Sequence, residues 1–144
     1  MRHSRRRYAA LVLAAAAFLS ISACSNGLDP ADPAAIAMRA ADDPTAIARL
    51  AEDAPAPQAA ILEDGQVSDA EYEQAVTADR DCVSVAGYEP SELRWNDGQV
   101  GFEVSANYEG EADPEAADEA FLAAVEQCWK EHSKLVGTVW SARK

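Results

Sequence analysis

The sequence predicts an α+β domain: two main helices packed on one face of a small antiparallel hairpin and linked to each other by a disulfide. Three observations carry this expectation. Apolar residues recur at helical spacing in two long stretches, 72–86 and 121–140. Between them, Leu93 and Trp95 alternate on one side of Asp97-Gly98, and Val100, Phe102 and Val104 alternate on the other. Each long stretch also carries one cysteine, Cys82 or Cys128, on its apolar stripe.

The first element is a short helix over 58–63, stopped by Asp64-Gly65, where glycine supports a C-cap. The second helix runs over 69–86. Ser68 caps it, Glu71 completes a capping box, and Val67 and Tyr72 stand at the two staple positions. Tyr72, Ala75, Val76, Cys82, Val83 and Ala86 form its stripe, and Gly87 ends it, with Glu89-Pro90 beyond. The third element is the hairpin. Asp97-Gly98 suits a two-residue turn in which both central residues need φ > 0. That register sets Trp95 opposite Val100 and Leu93 opposite Phe102, with Arg94, Gln99 and Glu103 on the other face. The fourth element starts at Asp113-Pro114, a cap followed by proline at the first helical position. It keeps its period through Phe121, Leu122, Val125, Cys128, Trp129, His132, Leu135, Val136, Val139 and Trp140 to the terminus, with Gly137 as the point where it bends or ends.

Ahead of this body, residues 25–57 are rich in Ala, Asp and Pro and contain an internal repeat. Residues 32–42 begin Asp32-Pro33 and residues 43–53 begin Asp43-Pro44, and Ile36 and Ile47 fall at the same place in each unit. Asp before Pro is a good helix start, but two such short helices are marginal alone in water. The segment therefore reads as a spacer with nascent helix, disordered or loosely docked. The sharper alternative is an amphipathic partner-binding segment using Ile36, Met38, Ile47 and Leu50. The expected division is 1–23, 24–57 (a tether) and 58–144 (the folded body).

The amino terminus is a targeting segment. Arg2, Arg5, Arg6 and Arg7 make a basic head, and residues 9–21 are apolar apart from Ser20. This is the layout of a secretory signal peptide, and about 13 residues are too few for a bilayer, which takes about 20. The run Ile21-Ser22-Ala23-Cys24 follows, and it resembles the lipobox of bacterial lipoproteins. The resemblance covers the first 24 residues. It implies that residues 1–23 are removed and that the Cys24 sulfur carries a diacylglyceryl group. It also implies acylation of the new amino group with a palmitate-type chain, leaving the mature protein lipid-anchored on the extracytoplasmic face of the cell membrane. Two acyl chains anchor stably where one is marginal. Ser4-Arg5-Arg6-Arg7-Tyr8 also resembles a twin-arginine export signal, with Tyr8 where Phe is commoner and Ala9 and Ala10 in place of Leu and Lys; the ordinary secretory route is preferred. With its heavy use of Ala and of Arg over Lys, the chain is similar to small actinobacterial envelope lipoproteins. That group implies no activity.

Charge narrows the partners. Four of the 12 basic residues precede Cys24 and none of the 25 acidic ones does, so the chain from Cys24 carries 8 basic against 25 acidic side chains, a formal charge of −17. Such a surface repels nucleic-acid phosphates and anionic headgroups, which excludes nucleic acid as a partner. The same charge holds the body off the membrane, or attracts basic partners and divalent cations; the blander explanation is solubility.

With Cys24 spent on lipid, Cys82 and Cys128 are expected to pair, because the compartment outside the membrane permits disulfides. Closing a loop of about 46 residues adds about 4 kcal/mol in the chain-entropy picture, comparable to the net stability of so small a core. Cys128 and His132 share a helix face at i, i+4 and with Cys82 would offer three zinc ligands, but a fourth is absent. A thiol nucleophile assisted by His132 needs exposed, low-pKa sulfur. Asp64-Gly65-Gln66-Val67-Ser68-Asp69-Ala70-Glu71 resembles the second half of an EF-hand calcium loop, yet the opening ligand positions fall on Ala60 and Leu62, which have no side-chain oxygen. Glu109, Glu111, Asp113, Glu115, Asp118 and Glu119 suit a helix N-terminus. No phosphate loop and no Ser/His/Asp set is present.

These readings predict no catalytic residue, no metal and no cofactor. The expected function is a non-catalytic binding or structural module presented to an envelope protein or cell-wall partner. Trp95, Trp129, Trp140 and Tyr88 are the candidate contact aromatics, at least two of them core. The alternatives are a thiol/redox accessory enzyme using Cys82, Cys128 and His132, and a weak divalent-cation module.

Overall fold

The computed structural model describes residues 32–143. The basic head, the apolar stretch and Cys24 lie outside the described residues. Six helices and four short strands follow in the order α1 (Pro33–Ala40), α2 (Pro44–Leu50), α3 (Ala56–Leu62), α4 (Asp69–Val85), β1 (Glu89–Pro90), β2 (Arg94–Asn96), β3 (Gln99–Gly101), β4 (Val104–Ser105), α5 (Pro114–His132) and α6 (Lys134–Ala142). The class is α+β as expected. The helical part is richer than two main helices, and the sheet is two separate two-stranded antiparallel ladders.

Each unit of the repeat forms a helix. Asp32 Oδ1 accepts from Ala34 N at 2.8 Å, and Asp43 Oδ1 accepts from Thr45 N and Ala46 N at 2.9 and 3.2 Å. These helices are not a tether. Ala37, Ala40 and Ile47 belong to the same buried core as Leu62, Val136 and Trp140. Small alanines let α1 approach α6 closely, and burial supplies the stability that short isolated helices lack. The boundary expected at 57/58 is therefore absent, and the folded body extends back at least to Asp32. Ile47 and Leu50 turn inward, whereas Ile36 and Met38 are 41% and 53% exposed.

The second predicted helix is as read. Ser68 Oγ accepts from Glu71 N at 3.2 Å and Glu71 Oε2 accepts from Ser68 N at 2.7 Å, closing the capping box. At the other end Gly87 has φ +98. Gly87 N donates to Ser84 O and Tyr88 N to Val83 O, a Schellman ending. Gly65, with φ +79, ends the α3 region, and a Cβ there would collide with the Pro44 carbonyl. That close approach seats the α3–α4 connection on α2.

In the hairpin Trp95 pairs with Val100 and Asn96 with Gln99, around Asp97 (φ 50) and Gly98 (φ 79). Val100 is buried and Leu93 and Phe102 pack on the core, while Arg94, Gln99 and Glu103 are exposed, so the predicted faces hold. The outer ladder pairs Glu89 with Ser105 and Pro90 with Val104, one residue out of step with the inner one. Ser91 bridges the slip: its N donates to Glu103 O at 2.8 Å and its Oγ accepts from Glu103 N at 3.0 Å.

The last helix breaks at Ser133 (φ −131, ψ −17), not at Gly137, which lies inside α6. The break is bridged by Gln58, fully buried on α3. Its Nε2 donates to Lys130 O and Glu131 O (2.7 and 3.1 Å), at the end of α5. Its Oε1 accepts from Leu135 N and Val136 N (2.7 and 3.3 Å), at the start of α6. One side chain thus satisfies backbone groups that a helix break leaves orphaned. The break turns α6 into the core, where Leu135, Val136, Val139 and Trp140 are buried between α1 and α4.

Candidate functional site

The break also shapes a groove. Its volume is about 640 Å³, and it lies between α1, α4, the hairpin and the α5–α6 elbow. Val76, Val100 and Phe102 form the apolar wall. Tyr72 lies beside them, stacked on Trp140 with ring centroids 4.0 Å apart, and its hydroxyl donates to Val100 O at 3.0 Å. Trp140 is itself fixed by Nε1 donating to Asp69 Oδ1 at 2.8 Å.

The polar part of the groove comes from α4 and the elbow. Asp79 and Ser133 are both buried, and Ser133 Oγ donates to Asp79 Oδ2 at 2.7 Å. Burial raises the Asp79 carboxyl above the ordinary carboxylate range; the Ser133 hydrogen bond and the charge of His132 act in the opposite direction. Because Ser133 donates to the carboxylate rather than to His132, these three residues do not form a nucleophile–base–acid relay. His132 Nδ1 is buried without a hydrogen-bond partner. At the rim, Lys134 Nζ sits 5.2 Å from the centroid of the Trp129 ring and 3.6 Å from Asp32 Oδ1. Met38 completes the rim from α1.

Cys82 and Cys128 form the expected disulfide, with Cα atoms 5.6 Å apart, and it joins α4 to α5. Cys128 is the fully buried side chain of α5, whereas Cys82 is partly exposed. The four candidate aromatics divide. Trp140 is buried, Tyr88 packs edge-on against Phe121 at 4.9 Å, and Trp95 and Trp129 are 48% and 44% exposed.

The acidic constellations serve local structure. Glu71 is committed to the capping box, and Asp64 Oδ1 accepts from Gln66 N. Asp113 caps α5 through Ala116 N. Asp118 accepts from the Tyr108 hydroxyl at 2.6 Å, which pushes that phenol up to about 12. Among the described residues no group of three or more His, Cys, Asp or Glu is placed to hold a metal ion. Among them, too, no helix is long and apolar enough to cross a membrane.

Asp79, Ser133 and Lys134 in the groove, and Gln58 at the elbow beside it, were not singled out by sequence reasoning. Gln58 and Asp79 carry a signal. Gln58 stands one turn before Ile61 and Leu62, and Asp79 stands between Val76 and Val83 on the apolar stripe of α4. A polar residue at a core-facing position needs a buried partner.

The chain matches no known protein family, no curated protein and no solved structure. The functional reading rests on the chemistry of the chain itself.

Proposed function

We propose that this chain is a lipid-anchored envelope lipoprotein, acylated at Cys24, whose acidic disulfide-bonded body is a non-catalytic binding or structural module outside the cytoplasmic membrane. The observation that carries the reading is the Cys82–Cys128 bridge. Disulfides persist in oxidising compartments and are rare in the cytosol, which agrees with the export signal and lipobox-like run ending at Cys24. The groove is read as a binding surface: three of the four hydroxyls that line it, those of Tyr72, Ser133 and Thr138, donate to carbonyls or to the Asp79 carboxylate and none donates to His132. The test is mass spectrometry and fractionation of the full chain expressed in a lipoprotein-processing bacterium. A diacylated mature terminus in the membrane fraction, released from it by Cys24→Ala, is expected. An unmodified precursor in the cytosol overturns the reading.

A second reading, thiol–disulfide chemistry at the same pair, is favoured by the partial exposure of Cys82 and by His132 one turn after Cys128. A reduction potential near that of thioredoxin, about −270 mV, with turnover of a disulfide substrate would carry it. A bridge inert to a glutathione buffer, with no such turnover, would end it.

A further inference from the structure

The exposed apolar residues around Trp129 have a position that says what they meet. Asp32 is the first described residue, and it contacts Lys134, whose ammonium also lies 5.2 Å from the Trp129 ring centroid. The start of the body and the Trp129 rim are thus held side by side by one lysine. Seven residues separate Cys24 from Asp32. Fully extended, the eight steps between them span at most about 29 Å. A body of this size has a diameter of roughly 34 Å by its expected radius of gyration. An anchor at Cys24 therefore lets the face around Asp32 reach the bilayer, while the pole opposite Asp32 is out of reach.

That face has the composition of an interfacial contact. Trp129 is 44% exposed, Met38 is 53% exposed, and Leu122, two turns before Trp129 on the same side of α5, is 55% exposed. Trp and Lys suit the membrane–water boundary, with an apolar body and a wet tip. The local charge is also unlike the rest of the molecule. Lys130 pairs with Glu126 at 2.6 Å and Lys134 with Asp32 at 3.6 Å, so around Trp129 each cation is balanced by one acid, against 8 basic and 25 acidic residues from Cys24 onward; Asp118 and Glu119 lie one turn before Leu122. The Trp129 end of the patch thus feels less of the repulsion that the acidic body feels at a lipid surface.

We infer that Trp129, Met38 and Leu122 form a membrane-docking face that seats the body on the lipid interface beside its own anchor. This rests on the lipid-anchor reading above, and it replaces a body held off the membrane with one that lies on it. The occupant is the lipid interface; a protein partner in its place is an outcome of the test.

The experiment uses the acylated full chain in phosphatidylcholine vesicles with brominated acyl chains, which quench tryptophan at the interface. Trp140 is buried and serves as the constant background. Trp95→Phe is expected to retain the quenching, Trp129→Phe to lose at least half of it, and Met38→Glu to reduce it severalfold with Trp129 still present. All should sediment with the vesicles. Quenching that is absent, or equal in the Trp95→Phe and Trp129→Phe proteins, while the chain still sediments, overturns the docking face and leaves the anchor intact. A chain that does not sediment and carries unmodified Cys24 removes the anchor and the docking face together.

Discussion

Replacing Gln58 by leucine tests how the fold is held at its elbow. Leucine is close to glutamine in volume, so little cavity arises and the change reads the hydrogen bonds. Gln58 is 0% exposed and makes four of them. The two amide N–H groups at the start of α6 have no other intrahelical partner, and both bonds to Gln58 are buried. A buried polar group stripped of its partner costs about 1–3 kcal/mol. The acceptance from Leu135 N at 2.7 Å weighs more than that from Val136 N at 3.3 Å. The carbonyls of Lys130 and Glu131 lie nearer the surface and recover part of their loss from water. A total of about 3 kcal/mol follows, which lowers the melting temperature by roughly 12 °C in a domain of this size. Gln58→Glu is the companion. It keeps the acceptor, loses both donors, and sets a carboxylate against two carbonyl oxygens. It should be at least as damaging at pH 7 and recover partly in acid, where a protonated carboxyl donates again. Circular-dichroism melts of the oxidised protein measure both. A Gln58→Leu protein melting within about 2 °C of the parent would refute the idea that this side chain splices the two helices.

Three further outcomes follow. Reducing Cys82–Cys128, or substituting both by alanine, should cost about 2–4 kcal/mol; urea titrations with and without reductant measure it, and equal midpoints would show that α5 is held without the bridge. Burial raises the Asp79 carboxyl, so the folded state takes up the proton more readily than the unfolded one. Its contribution is therefore full below the unfolded pKa and is lost as pH rises through the raised folded pKa. Asp79→Asn, which still accepts from Ser133, should flatten stability across that window and match or exceed the parent at pH 7; an unchanged pH profile counts against a strained buried carboxyl. Trp140→Phe keeps a ring on Tyr72 but removes the bond to Asp69 and leaves a cavity where the buried indole was larger, at a cost of about 2–4 kcal/mol, read as a lowered urea midpoint.

Local chemistry was legible in the sequence because it depends on neighbours a few residues apart. The capping box at Ser68 and Glu71, the Asp-Pro helix starts, the Asp97-Gly98 turn and the pairing of Trp95 with Val100 are all of this kind. The disulfide was legible for another reason: two cysteines on facing apolar stripes leave few alternatives. What the sequence hid was set at long range. Residues 33–50 look like a tether because short alanine-rich helices are marginal alone, and it is distant packing, α1 against α6 and α2 against α1 and α3, that buries them. The break at Ser133 has no local breaker, and the side chain that satisfies its backbone groups sits more than seventy residues earlier, at Gln58. Gly137 was the better local candidate, yet it stays helical, with its Cα facing the Tyr72 ring.

The same break ties the fold to the proposed docking face. An unbroken helix from Pro114 to Ala142 would carry Trp140 out along the axis of α5, away from Tyr72. With the turn at Ser133, α6 drops into the core while α5 stays outside it, secured by Cys128 and by the Gln58 bonds to its last turn. Trp129 and Lys134 then fall on either side of the elbow, close enough to touch, and Lys134 reaches Asp32. The exposed tryptophan therefore depends on two devices with no contact to any ligand: a buried amide and a bridge between helices. Loss of the bridge should free the outer helix first, because α5 buries one side chain whereas α6 buries four. Under reduction, the Trp129 rim should loosen before the Trp140 core melts, and separate fluorescence transitions for the two rings are the expected sign of it.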